Sequence, residues 1–183
     1  MALPHTKQKE LQALWRAYWE TPYFNQRIQL VPGQKTPVTP DSDTVTLWLT
    51  AENPHSQPCD KEENQRRNQH LASEITKLLT KSLPQELIHV EAATARHPNH
   101  QWPAEQGFFV FMPAAVWAQT RSEWETLAAR WGQNAIVVAE PGKPVIVMPT
   151  DPMFRQQLTS AGLWSPGRPE KDSSVINHAP ASH

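Results

Sequence analysis

The chain has 183 residues, enough for one ordinary domain with tails and too few for two full ones. A net charge of −1 and a pI near 6.7 argue against a nucleic-acid binder that works by neutralising phosphates, and no basic run exceeds Arg66-Arg67. The single cysteine, Cys59, excludes an intramolecular disulfide and a multi-cysteine zinc site, and it fits a reducing cytoplasm.

At the start, Met1-Ala2-Leu3-Pro4-His5 sets no cationic segment before an apolar one, so no signal peptide is expected. Lys7 to Glu20 reads as a helix, because Leu11, Leu14, Trp15, Tyr18 and Trp19 recur at spacings of three and four. Thr21-Pro22 ends it. Arg27 to Val31 reads as a short strand, and the proline-rich segment Pro32 to Asp43 as a surface loop. Thr44 to Thr50 alternates, with Val45, Leu47 and Leu49 on one face and Trp48 on the other, the pattern of a central strand.

Ala51 to Cys59 is a polar loop. Asp60 to Lys81 is the longest predicted helix, with Asp60 as N-cap, Glu63 at the capping-box position and an apolar stripe of Leu71, Ile75, Leu78 and Leu79. A strand over Leu87 to Ala93 and a polar loop over Thr94 to Gln106 precede the apolar strand Gly107 to Met112. Ser122 to Trp131 reads as a helix opened by a second capping box, Ser122 with Glu125, and closed by Gly132. Asn134 to Ala139 and Val145 to Met148 form a hairpin around Glu140-Pro141-Gly142-Lys143, and Asp151 to Ala161 a final helix. No apolar-rich stretch exceeds strand length, so no membrane span is expected.

The order α-β-β-α-β-β-α-β-β-α favours a single α+β domain over residues 1–163, with a mixed or antiparallel sheet of about six strands and helices packed on it. Residues 164–183 are polar and lack an apolar period, so a disordered tail is expected there.

The candidate chemistry gathers at element ends. On the helix from Asp60, Asn64 lies about 20° from Leu71 and Ile75, and Arg67 about 20° from Leu78, so polar side chains continue the inward stripe. An inward guanidinium needs an anionic or carbonyl partner, and the helix N-terminus beside it adds partial positive charge. One reading is a site for a carboxylate or phosphate ligand; the other is that Arg67 pairs with Glu105 or Glu91 and ties loops together.

Asn53, before Pro54 at a strand end, could fix the loop or contact a ligand. Trp102 before Pro103 could form a rigid aromatic wall, and Gln133 could present its amide. Glu105, at the mouth of an apolar strand, is the best acid–base candidate, because partial burial would raise its pKa; Glu63 is a second, better explained as a cap. His97 and His100 with Glu105 have loose metal spacing, and no metal or cofactor is expected. There is no Gly-rich phosphate loop, nucleophile elbow, His-Glu-x-x-His or Cys-x-x-Cys.

Four segments together carry a resemblance. They are Leu49-Thr50-Ala51-Glu52-Asn53-Pro54, Glu63-Asn64 with Arg67, Trp102 with Glu105 and Gly107, and Trp131-Gly132-Gln133-Asn134-Ala135. Their order over residues 10–148 resembles a bacterial family known as a domain of unknown function, numbered 3293, with Trp131 standing where phenylalanine is usual. The resemblance implies that Asn53, Glu63, Asn64, Arg67, Glu105 and Gln133 belong together, and it implies no activity.

The expectation is therefore a cytoplasmic protein with a pocket for a small polar or anionic molecule, formed by Asn53, Asn64, Arg67, Trp102, Glu105 and Gln133. Neither nucleic acid nor membrane is an expected partner. The alternative is a protein-interaction or regulatory module using a tryptophan-rich surface, with Trp15, Trp19 and Trp117 exposed for a partner.

Overall fold

The alternation of Thr44–Leu49 sets the architecture, because it sends Val45, Leu47 and Leu49 to one side of a strand and Trp48 to the other, and all four are buried. A strand buried on both faces must sit inside a sheet with a layer on each side. The computed structural model describes residues 4–36, 43–82, 85–100 and 102–166 and shows that arrangement. In chain order the elements are α1 (His5–Glu20), β1 (Tyr23–Phe24), β2 (Gln29–Leu30), β3 (Thr44–Leu49), α2 (Lys61–Ser82), β4 (His89–Ala95), β5 (Glu105–Pro113), α3 (Ala114–Arg130), β6 (Ala135–Ala139), β7 (Ile146–Pro149) and α4 (Pro152–Ser160).

The strands form one seven-stranded antiparallel sheet in the order β2-β1-β4-β5-β3-β6-β7. The sheet is curled so far that its outer ends meet. Gly33 and Thr36 donate backbone N–H groups to Val145 and Lys143 at 2.8 and 2.9 Å, and Val145 donates to Gln34 at 2.8 Å.

Two apolar cores result. On one face Val45, Leu47 and Leu49 pack with Leu71 and Ile75 of α2 and with Trp117, Trp124 and Leu127 of α3. On the other, Trp48 packs with Trp15 and Trp19 of α1 and with Phe154 and Leu158 of α4. The aromatic rings meet edge-on or tilted, Trp15 at 6.1 Å from Phe154 and Tyr23 at 4.6 Å from Trp48. Trp15, Trp19 and Trp117, expected as an exposed patch, are instead 2%, 8% and 5% exposed. Their helices use them as core, so the tryptophan-rich surface does not form. Among the described residues, no helix is long and apolar enough to cross a membrane.

Three expectations about elements need correction. The segment predicted as one strand over Arg27 to Val31 is part of a tiny hairpin, β1 and β2. The side-chain oxygen of Asn25 closes its turn by accepting from the backbone N–H groups of Arg27 and Ile28. That adds a seventh strand, which two residues are too short to announce by period. The helix predicted from Ser122 begins at Ala114, straight off β5, so its buried stripe starts at Val116 and Trp117. Ser122 and Glu125 are mid-helix and make no cap; Glu125 pairs with Arg121 and Arg155. Trp164, assigned to the tail, packs against the α1–α4 core, with the Arg155 guanidinium 5.7 Å from its ring centroid. The tail beyond Pro166, expected to be disordered, and residues 37–42 of the proline-rich loop lie outside the described residues.

Gly107 shows how tightly β5 meets β3. A Cβ there would lie 2.5 Å from the Leu49 carbonyl oxygen and 3.0 Å from Thr50 Cβ. Since backbone, not a flexible side-chain end, blocks the space, Gly107→Ala should lower stability by about 1–3 kcal/mol. A urea-unfolding midpoint equal to wild type would refute the close approach.

Candidate functional site

β3 ends at Leu49, and the chain then makes an unusual turn. Asn53, His55 and Ser56 all have positive φ, 47°, 54° and 56°. Each such non-glycine residue costs about 1–3 kcal/mol unless its surroundings impose it. Here the surroundings do, and they come from four separate places in the chain.

The first support is α2. Asn68 accepts from the Ala51 N–H at 2.9 Å and donates to the Gln106 carbonyl at 2.8 Å and to Glu52 Oε1 at 3.2 Å. One turn earlier, Asn64 takes the Asn53 N–H at 2.9 Å on its oxygen and donates its NH2 to Asn53 Oδ1, also at 2.9 Å. Arg67 donates Nε to the Ala51 carbonyl at 2.6 Å and a terminal NH2 to the Trp131 carbonyl at 2.5 Å, with its guanidinium 5.3 Å from the Trp131 ring centroid. This cation is satisfied by backbone carbonyls rather than by a carboxylate.

The second support is the end of α3. Gly132 has φ +73° and closes a Schellman turn, with Gln133 N–H to Ala128 O and Gly132 N–H to Ala129 O, both at 2.9 Å. A Cβ on Gly132 would lie 2.8 Å from Pro54 Cβ, so glycine lets the loop rest on the helix end. There His55 donates its N–H to the Gly132 carbonyl at 2.6 Å. The Gln133 amide donates to the Glu52 carbonyl and that of Asn134 to Ser56 Oγ, both at 2.9 Å.

The third is the start of β5, where Gln106 donates its N–H to Glu52 Oε2 at 2.9 Å and accepts from the Thr50 hydroxyl. The fourth is α1, whose Tyr18 hydroxyl lies 3.0 Å from Ser56 Oγ.

Held this way, the loop forms one wall of a cleft of about 60 Å³. Asn53, Ser56 and Pro58 contribute from the loop, Leu14 and Tyr18 from α1, and Tyr23 from β1. His97, Trp102, Pro103 and Glu105 complete it from the β4–β5 connection and the start of β5. Trp102 is 38% exposed and stands at the rim.

Glu105 is the carboxyl among the described residues that line the cleft. Its Oε1 accepts from the Asn53 amide at 2.8 Å, and Oε2 has no hydrogen-bond partner among the described residues. Burial pushes its pKa up to about 7; the Asn53 hydrogen bond opposes the rise and the nearby Glu52 charge adds to it. Because Oε1 is engaged as an acceptor, the proton of the neutral acid resides on Oε2. Burial likewise raises Glu52, against the hydrogen bonds from Gln106 and Asn68. It also holds the Tyr18 and Tyr23 hydroxyls well above their ordinary value, so both stay protonated donors.

The structure therefore brings three of the six expected ligand residues to the cleft: Asn53, Trp102 and Glu105. Asn64, Arg67 and Gln133 do not line it; they hold the loop that does. Neither Glu105 nor Glu91 pairs with Arg67, and Glu91 is taken by Arg27 and Asn25 at 2.5 and 2.6 Å. Glu63 stands near the solvent-facing start of α2, paired with Arg66, and donates its backbone N–H to the Asp60 cap. His97 is 2% exposed, with Nε2 3.5 Å from Glu20 Oε2, while His100 is exposed. No group of three metal-ligating side chains forms among the described residues.

Sequence reasoning did not single out Tyr18, Ser56, Glu52 or Asn68. Asn68 had a readable signal, since it sits four residues from Asn64 on the same inward stripe. Tyr18 was read only as part of an apolar repeat, which it is, with its hydroxyl end turned to the loop.

A family model described as Protein of unknown function (DUF3293) matches residues 49–136 and supports the resemblance seen in the four segments. No curated protein and no solved structure matches the chain.

Two outcomes follow from this geometry. Asn68→Ala strands the Ala51 N–H, the Gln106 carbonyl and a Glu52 oxygen, so it should cost about 2–4 kcal/mol in chemical denaturation. Full retention of wild-type stability would show that Asn68 does not brace the loop. For Glu105, both folded and unfolded forms are protonated below about pH 4.5. As the pH rises towards 7 the unfolded carboxyl ionises first, so this group's contribution to stability is lost through that window and stays lost above it. Glu105→Gln mimics the neutral acid, and its stability relative to wild type should rise by about 1–3 kcal/mol between pH 4.5 and 7.5. An unchanged difference across that range would refute the raised pKa.

Proposed function

We propose that the chain binds a small polar molecule in the cleft, with Glu105 as the group that exchanges a proton or hydrogen bond with it; the DUF3293 model that matches residues 49–136 is described without an activity. The observation that carries this reading is the Glu105 carboxyl itself. It is partly buried, fixed through Oε1 by Asn53, poised to change protonation near neutrality, and left with Oε2 free of protein partners among the described residues. A carboxyl needed only for structure gains nothing from that arrangement, since burying an acid next to Glu52 is unfavourable.

The other donors and acceptors are set by their neighbours. Asn53 Oδ1 accepts from Asn64 and from the Cys59 N–H, so its NH2 is locked towards Glu105. Ser56 is held between Tyr18 and Asn134. Trp102 supplies an aromatic surface at the rim. Such preorganisation favours affinity, because little ordering remains to be done on binding. Glu105 could also act as a general acid or base.

The anionic variant of this reading loses its main support. Arg67 is engaged on two carbonyls, and among the described residues no lysine or arginine lines the cleft. The protein-interaction reading loses the exposed tryptophans on which it rested. A setting in the bacterial cytoplasm is part of the proposal, supported by the lone Cys59 and the family resemblance.

The test is a thermal-shift screen of polyols, amides, amino acids, amines, nucleosides and phosphates against wild type, Glu105→Gln and Tyr18→Phe. A ligand at a hundred times its Kd adds about 2.7 kcal/mol, enough to raise Tm visibly. A rise in wild type that shrinks in Glu105→Gln is expected. Shifts of equal size in all three proteins, or none with any compound, would overturn the proposal.

A further inference from the structure

The charge and shape of the cleft narrow the ligand class. Among the described residues that line it, the one carboxyl is Glu105, the aromatic walls are Tyr18, Tyr23 and Trp102, and there is no arginine or lysine. A volume of about 60 Å³ gives room for roughly four water-sized groups, which suits a head group better than a whole metabolite.

The cleft does not end there. Leu14, Ser56 and Trp102 also line an adjoining groove of about 720 Å³ between α1, α4 and the loop. Met153, 67% exposed, and Phe154 give it apolar surface. Its formally charged residues are Lys7, Glu10 and Asp151, one positive and two negative. A small aromatic recess with a carboxyl in its lining, adjoining a longer and mildly acidic groove, is complementary to an elongated cation.

Resting on the ligand-binding reading above, we propose that the ligand is a primary ammonium compound whose cationic head enters the cleft and hydrogen-bonds to Glu105 Oε2, with its apolar body along the groove between α1 and α4. The ammonium N–H makes a charge-assisted bond to the carboxylate, and the aromatic walls contribute through their negative ring faces. Trp102, lining both spaces, lies against the junction of head and body.

Three four-carbon probes of different charge test this at pH 7.5: n-butylammonium chloride, n-butanol and sodium butyrate, titrated by calorimetry into the full chain. Butylammonium should bind at least tenfold tighter than the other two. Glu105→Gln should weaken it tenfold or more. Trp102→Ala, a truncation at an exposed rim that leaves the core untouched, should weaken it several-fold and keeps the test decisive if the Glu105 variant is poorly folded. Equal or tighter binding of butanol or butyrate would overturn the cation assignment while leaving the cleft as a ligand site. Butylammonium binding indifferent to both substitutions would place it elsewhere and overturn the inference. If no probe binds, the inference fails, and a Glu105-dependent shift with another class in the broader screen would show that the cleft reading survives it.

Discussion

A backbone that turns left-handed at three non-glycine residues within four positions has to be held by something other than itself. Here the loop from Asn53 to Ser56 is that backbone, and most of the polar chemistry in the middle of the fold is devoted to holding it. α2 supplies two asparagines and an arginine, α3 supplies its terminal glycine and the two amides after it, and β5 supplies a peptide unit. Remove the loop and these groups have no reason to be inside a protein, since buried amides and guanidinium groups without partners are costly. The loop constraint explains why the four segments of the family resemblance, far apart in sequence, meet at one place.

The cleft is a by-product of that constraint with a chemistry of its own. Because Asn53 is clamped on its oxygen side by Asn64 and the Cys59 N–H, its amide has one orientation, and Glu105 inherits it. One carboxylate oxygen is thereby made a fixed acceptor, and the other has no hydrogen-bond partner among the described residues. α1 closes the arrangement by presenting apolar Trp15 and Trp19 to the core and the hydroxyl of Tyr18 to Ser56. The same helix is therefore both a structural layer and a wall of the cleft.

The sequence was most legible where period carries information. β3, α2 and the β6–β7 hairpin lie within a residue or two of their expected bounds, because alternation, a long apolar stripe and a Pro-Gly turn are strong local signals. The hairpin of β1 and β2 was not legible, since two-residue strands have no period. The early start of α3 was masked by Ser122 and Glu125, which imitate a capping box in mid-helix. For the candidate site, residue types at element ends pointed to Asn53, Trp102 and Glu105, which line the cleft. They could not tell lining from bracing: Arg67 and Gln133 look like ligand contacts until the carbonyls of Ala51, Trp131 and Glu52 are placed against them. Backbone acceptors carry no residue-type signal.

The meeting of the sheet's outer ends has a consequence for how the chain reaches this state. The segment after β2 joins the turn before β7 through residues about a hundred positions apart, such as Lys35 and Pro144. Closing a loop of that length has a large entropic cost and is compensated only once the intervening strands are in place, so this seam is a late event in folding. Until it forms, the backbone groups of Gly33, Gln34 and Thr36 and their partners at Lys143 and Val145 lack these mutual bonds, leaving open backbone of the kind that recruits another chain. After it forms, the first forty residues and the last forty of the described fold are stitched to each other. The two ends of the domain then stand or fall together.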